Sequence, residues 1–141
     1  MKAFSVRTVS WSEAEGLLCA VREAVFMAEQ GVPAELEWDG LDSRCVHFLA
    51  LGAGGEAIGT ARLTTDGHVG RMAVLAPWRG RGVGRALMEA ILEEARRRGV
   101  RELALNAQTY AQDFYRRFGF AREGDEFLDA GIPHVRMTLG L

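Results

Sequence analysis

The stretch RMAVLAPWRGRGVGRALMEAI, Arg71 to Ile91, joins a strand-like run to a helix-like run through a turn carrying Gly80, Gly82 and Gly84. Pro77 cannot donate to a ladder, so the strand ends before it. Beyond the turn, Val83, Leu87, Ile91 and Ala95 recur every fourth residue. That is the spacing of one helix face and predicts a helix over 82–98. Gly99 stands where a C-terminal glycine belongs, and Arg96, Arg97 and Arg98 complement the helix dipole there as a solvated end. The next apolar run, Leu103-Ala104-Leu105, is the return strand, and a helical crossover makes the two strands parallel.

Upstream, His68–Leu75 is the third of three consecutive strands, after Val46–Leu51 and Glu56–Thr64. Gly52–Gly55 and Asp66-Gly67 are their turns, so this middle part is an antiparallel meander. Ala3–Val9 alternates as a first strand. Ser10 and Glu13 form a capping box before Leu17, Leu18, Val21 and Val25, predicting a helix to about Ala28. A short helix is expected near Glu29–Val32. Glu35, Glu37, Asp39 and Asp42 then read as an exposed, solvated connection. Downstream, Thr109 and Gln112 form a second capping box for a short helix ending at Gly119. Phe120–Leu128 and Val135–Leu139 are the last strands. The order is an α/β fold of α+β type with a mixed sheet, read as a single domain, 1–141.

The chain has 141 residues, 48% of them hydrophobic, and a formal net charge of −2. A core is affordable, and the balance argues against a protein working by counterion release on nucleic acid. Cys19 and Cys45 fit neither a disulfide framework nor a metal spacing and read as buried free thiols of a reducing compartment. Met1–Ser10 lacks a signal core, and no run approaches the ~18 apolar residues of a spanning helix. A cytoplasmic protein with no membrane and no nucleic-acid partner is expected. No His/Cys cluster has metal spacing, so no metal is expected.

A helix N-terminus offers unpaired N–H groups and partial positive charge, and glycines let an anion approach its backbone. Arg79, Arg81 and Arg85 add forked donors. A phosphate site follows, but not either of two common ones. A dinucleotide fingerprint needs glycine where Arg85 stands, and a P-loop needs Gly-Lys-Ser/Thr where Gly84-Arg85-Ala86 stands.

Arg79-Gly80-Arg81-Gly82-Val83-Gly84 resembles the Gln/Arg-x-x-Gly-x-Gly/Ala signature of the GNAT N-acetyltransferases. Ala111-x-x-Phe114-Tyr115-Arg116-Arg117-Phe118-Gly119-Phe120 is similar to a second stretch of that family, with Gln108 at its usual asparagine position. Val25–Pro33, Asp39–Asp42, His47, Ala107-Gln108 and Gly131–His134 look like the ElaA/YjcF-like subgroup. The resemblance implies a mainly antiparallel mixed sheet of six or seven strands, with helices on both faces. It implies acetyl-coenzyme A as cosubstrate and direct transfer to a primary amine.

On that resemblance, Met72, Ala73 and Val74 pair with the pantetheine arm, and N–H near Val74 meets the oxyanion. Gly80, Gly82, Val83, Gly84 and Arg85 hold the pyrophosphate, with Arg79 and Arg81 as supporting charge. Gln108 and Phe114 complete the cofactor side. Tyr115 is the expected acid toward the leaving thiolate. Glu29 and His134 are the candidate bases, with Glu126 behind them. His47 reads as a satisfied core histidine, His68 as exposed at its hairpin. The acceptor stays open among polyamine, aminosugar, amino acid and protein N-terminus, and the acids 35–42 could attract a cationic amine. Monomer and homodimer both stay open, with Val135–Leu139 as a possible edge strand. The alternative to an enzyme is a non-catalytic coenzyme A-binding regulatory module. A nucleic-acid binder using Arg96–Arg101 is disfavoured by the acidic balance.

Overall fold

The computed structural model describes residues 3–141. In chain order it holds β1 (Phe4–Val9), α1 (Trp11–Arg22), α2 (Ala34–Glu37), β2 (Val46–Gly52), β3 (Ala57–Leu63) and β4 (His68–Val74). Then come α3 (Val83–Arg97), β5 (Glu102–Gln108), α4 (Gln112–Arg116), β6 (Ala121–Asp129) and β7 (Ile132–Gly140). The seven strands form one sheet in the order β1-β2-β3-β4-β5-β7-β6. β4 and β5 are parallel and the other neighbours antiparallel.

Alternation along β2 divides the core between two faces. Phe48 and Ala50 pack with Leu87 and Ile91 of α3, while Leu49 packs with Ala14 and Leu18 of α1. Helices therefore cover both faces, as the resemblance implies. Val83, Leu87, Ile91 and Ala95 are all buried, and the Gly99 and Val100 N–H groups close the end of α3 on Arg96 and Ala95 carbonyls. The Ser10–Glu13 capping box opens α1.

Several expectations are corrected. After α1 the chain runs on as a π-helix, Glu23–Glu29, and Gly31 leaves it at φ +70°. The short helix starts only after Pro33, whose carbonyl takes the Leu36 and Glu37 N–H groups. Leu17 is exposed. Thr109 caps nothing with its side chain; instead Gln112 donates to its carbonyl at 3.0 Å. Cys19 and Cys45 are free but only half-buried. Val135–Leu139 lies inside the sheet, because β7 pairs β5 on one side and β6 on the other.

Candidate active site

β4 and β5 run together for one step only, His68 with Ala104 and Val69 with Leu105. Beyond it they part, and a cavity of about 520 Å³ opens between them. Met72, Ala73 and Val74 line one side and Leu105, Asn106 and Gln108 the other. The backbone of β4 has a free edge here. Leu75 N–H donates to Ile58 in β3 at 2.9 Å, so by strand alternation Val74 turns its N–H and carbonyl into the gap. Arg79 Nε takes that carbonyl at 2.9 Å.

The three glycines of the turn do different work. Gly80 and Gly82 sit at φ +75° and +87°, which L side chains rarely adopt, and open space lies where their Cβ atoms would be. Gly84 has ordinary backbone, but a Cβ there would meet the Phe114 ring at 3.4 Å. Gly82 gives α3 no side-chain cap, so the first N–H groups of the helix face outward as an anion cradle. The Val83 side chain is buried, leaving only its backbone for a ligand.

The arginines are already engaged. Arg79 grips both Glu29 oxygens at 2.7 Å, Arg81 lies over Trp78 at 5.2 Å, and Arg85 pairs with Glu89 at 2.9 Å. Arg81, Gly82 and Arg85 border a second hollow on the far flank of α3 from the β4–β5 gap. Glu29 is not placed as a base. It is outside the cavity lining, and the Arg79 hydrogen bonds hold its carboxyl below the ordinary range, where it binds protons weakly.

Tyr115 rises from α4 into the cavity between Phe114 and Phe120. Its hydroxyl meets Met72 Sδ at 3.9 Å across the gap. Burial pushes its pKa up to about 12, so it is a donor throughout the physiological range. His134, opposite Gln108 on β7, is 8% exposed and lines the same cavity. Its Nδ1 is 2.6 Å from the Ile132 carbonyl. A carbonyl can only accept, so Nδ1 is the donor, and in the neutral ring the lone pair belongs to Nε2. Gln108 donates to Gln30 at 3.1 Å. Glu126 lies on exposed β6, outside the cavity.

Two histidines differ in fate. His47 is a satisfied core residue, 2.8 Å from the Asp42 carbonyl. His68 is corrected from exposed to half-buried in the cavity wall, and burial lowers its pKa.

The larger correction concerns the acids. Glu37 and Asp42 are buried, 3% and 8% exposed, rather than solvated. Arg22 bonds Glu37 at 2.5 Å and Asp42 at 2.8 Å, and Arg62 holds Asp39 at 2.8 and 2.9 Å. Arg71 joins from β4 to Glu37 and Asp39, each at 3.3 Å. These acids are neutralised internally and leave little charge for a cationic amine. Arg22, Arg62 and Arg71 were not singled out from the sequence. The available signal was Arg22 beside Val21 on the apolar face of α1, and Arg62 inside a strand. The other basic cluster is also structural in part, since Arg97 and Arg98 both hold Glu94. Among the described residues, no group of three or more His, Cys, Asp or Glu is arranged for a metal ion, and no helix is long and apolar enough to cross a membrane.

Residues 13–141 match the acetyltransferase (GNAT) domain model. The uncharacterized N-acetyltransferase YjcF of Bacillus subtilis is 40% identical over 121 residues, covering 83% of this chain and 86% of that one. The crystal structure of Escherichia coli ElaA superposes with a TM-score of 0.86 at 29% identity, covering 95% of this chain and 98% of that one. An acyl-CoA N-acyltransferase from Pseudomonas aeruginosa gives a TM-score of 0.81 at 30% identity, covering 96% and 97%.

Proposed function

We propose transfer of an acetyl group from acetyl-coenzyme A to a primary amine as the reaction of this chain, which belongs to the GNAT acetyltransferase family and is an N-acetyltransferase. The chain, 1–141, works as one catalytic domain. The observation that carries the reading is the parting of β4 from β5. It leaves a free strand edge running from the glycine turn to the Tyr115 hydroxyl.

Acetyl-coenzyme A supplies the activated thioester. The glycine turn fits its pyrophosphate, because open space lies over Gly80 and Gly82 and the helix N–H groups face it. Met72 and Val74 offer backbone to the pantetheine arm, while Ala73 turns its backbone to Thr60 in β3 and lines the gap, with Gln108 and Phe114 across it. Val74 N–H meets the carbonyl oxygen as it gains charge. His134 Nε2 takes the proton that the amine sheds while the C–N bond forms. Tyr115 meets the sulfur as the C–S bond breaks. Its pKa of about 12 lies above the ~8.5 of an unperturbed thiol, so full transfer of its proton is uphill by roughly 5 kcal/mol. Tyr115 therefore acts by hydrogen bonding to the leaving sulfur, and solvent completes protonation.

The test is free-thiol release from acetyl-coenzyme A against a panel of amines: polyamine, aminosugar, amino acid and peptide N-terminus. Amine-dependent release supports the reaction. Calorimetric binding of acetyl-coenzyme A without release from any amine would instead indicate a regulatory binding module.

A further inference from the structure

β4 carries a bulge at Arg71. Thr60 pairs with Ala73 and Arg62 with Gly70, so the register slips between them. Arg71 stands at φ +50°, a left-handed conformation that costs a residue with a Cβ. Two sets of bonds hold it there. From the sheet, Thr60 Oγ1 donates to the Arg71 carbonyl at 3.0 Å. Off the sheet, Arg71 Nη2 donates to the Glu37 carbonyl at 3.0 Å, the Leu36 carbonyl at 3.4 Å and the Asp39 carboxylate at 3.3 Å. Those anchors are themselves fixed, Glu37 by Arg22 and Asp39 by Arg62.

The position of the bulge gives this a consequence for the reaction. It lies between the last parallel pair, Val69 with Leu105, and the residues that turn backbone into the gap. Leu36 and Glu37 line the same cavity. A bulge re-aims the strand that follows it. We propose that Arg71 is a positioning residue: its guanidinium locks the 36–39 wall of the cleft to the β4 bulge, so that this wall and the Val74 N–H are set as one unit. The lock rests on the acetyl-transfer reading only for what that N–H faces.

Two variants separate the lock from mere stability. Arg71→Gly accepts the left-handed backbone and deletes the tether. Thr60→Val removes the main-chain anchor at nearly equal volume and leaves every charge in place. Amide hydrogen exchange on the protein alone is the first measurement. In Arg71→Gly, protection of the bonded amides 36–38 and of Leu75, which donates to Ile58, should fall together by about tenfold while 87–91 in α3 is unchanged. A loss confined to one of the two segments overturns the lock.

The second measurement is the infrared carbonyl frequency of bound acetyl-coenzyme A carrying carbon-13 at the thioester carbon. The wild type should lower it relative to water by hydrogen bonding. Both variants should bind within about threefold of wild-type affinity yet lose at least half of that lowering, and Arg71→Lys should recover part of it. Full lowering retained in both variants overturns the proposal. Should wild type fail to bind acetyl-coenzyme A, the proposed function falls, and the exchange measurement still decides the lock.

Discussion

Glu29 and Arg79 lie fifty positions apart and meet through two 2.7 Å hydrogen bonds, closing the end of the π-helix onto the start of the glycine turn. Both side chains are 43% exposed, so the pair adds little to stability. Its importance is competition, since Glu29 occupies the guanidinium that a pyrophosphate would also attract. Glu29→Gln should therefore leave the melting temperature unchanged and tighten acetyl-coenzyme A binding about threefold at low salt, the gain shrinking at high salt. Calorimetry at two ionic strengths measures it. Weaker binding would mean that Arg79 needs Glu29 to keep its hold on the Val74 carbonyl. The same variant should keep turnover within about threefold, far less than the loss of a general base produces.

Tyr115 should matter to turnover more than to binding. Tyr115→Phe removes one hydroxyl from an otherwise apolar surround and should lower kcat about 100-fold, with acetyl-coenzyme A affinity within about threefold. With the phenol pKa near 12, wild-type activity should show no falling limb from Tyr115 up to about pH 10. Unchanged kcat in the variant would remove Tyr115 from the chemistry.

The buried ion network predicts an acid response with a definite sign. Burial disfavours the Asp42 carboxylate, but Arg22 and Arg62 outweigh it and hold the carboxyl below its ordinary value. The Arg62 hydrogen bond does the same for Asp39, more strongly. Folded values below unfolded ones mean stability that is present above the unfolded pKa, about 3.9, and lost as pH falls through the folded values. Melting temperature should thus be insensitive to these groups between pH 8 and 5 (about) and drop below about pH 4. Arg22→Met takes the shorter bonds from two buried acids, leaving Glu37 with Arg71 at 3.3 Å and Asp42 with Arg62 at 3.1 Å, so it should cost about 3 kcal/mol at neutral pH and make the acid limb shallower. Urea denaturation at several pH values checks both.

What the sequence disclosed and what it hid follow from the same physics. The four-residue spacing of Val83, Leu87, Ile91 and Ala95 exposes α3 because burial on one face is a local, periodic demand. The glycine turn was legible because positive φ at Gly80 and Gly82 restricts residue type at the site itself. Glu37 and Asp42 were not, because an acid is buried only by partners distant in the chain, here Arg22 and Arg62. Composition alone reads such acids as solvated. Tyr115 and His134 were legible as residues of interest, but their facing one cavity depends on where β5 pairs β7, a non-local register. Glu29 looked like a base for the converse reason, since nothing nearby in sequence announces Arg79 as its partner.

The proposal of His134 as the base rests on its tautomer, which makes its prediction specific. The Ile132 carbonyl fixes a proton on Nδ1, which leaves Nε2 as the basic atom of a neutral ring that lines the cavity. His134→Ala removes the proposed base and also leaves the Phe127 ring without its stacking partner, 6.0 Å away between centroids. Turnover should fall about 100-fold or more, as for loss of general-base catalysis. Added imidazole should restore part of it in proportion to concentration, because the small space left behind admits the missing ring. His134→Gln should lower turnover equally without responding to imidazole, since its amide fills that space and has no comparable basicity. An Ala variant whose turnover survives, or falls and ignores imidazole while the protein stays folded, would assign proton removal to solvent and leave His134 as a wall of the cleft.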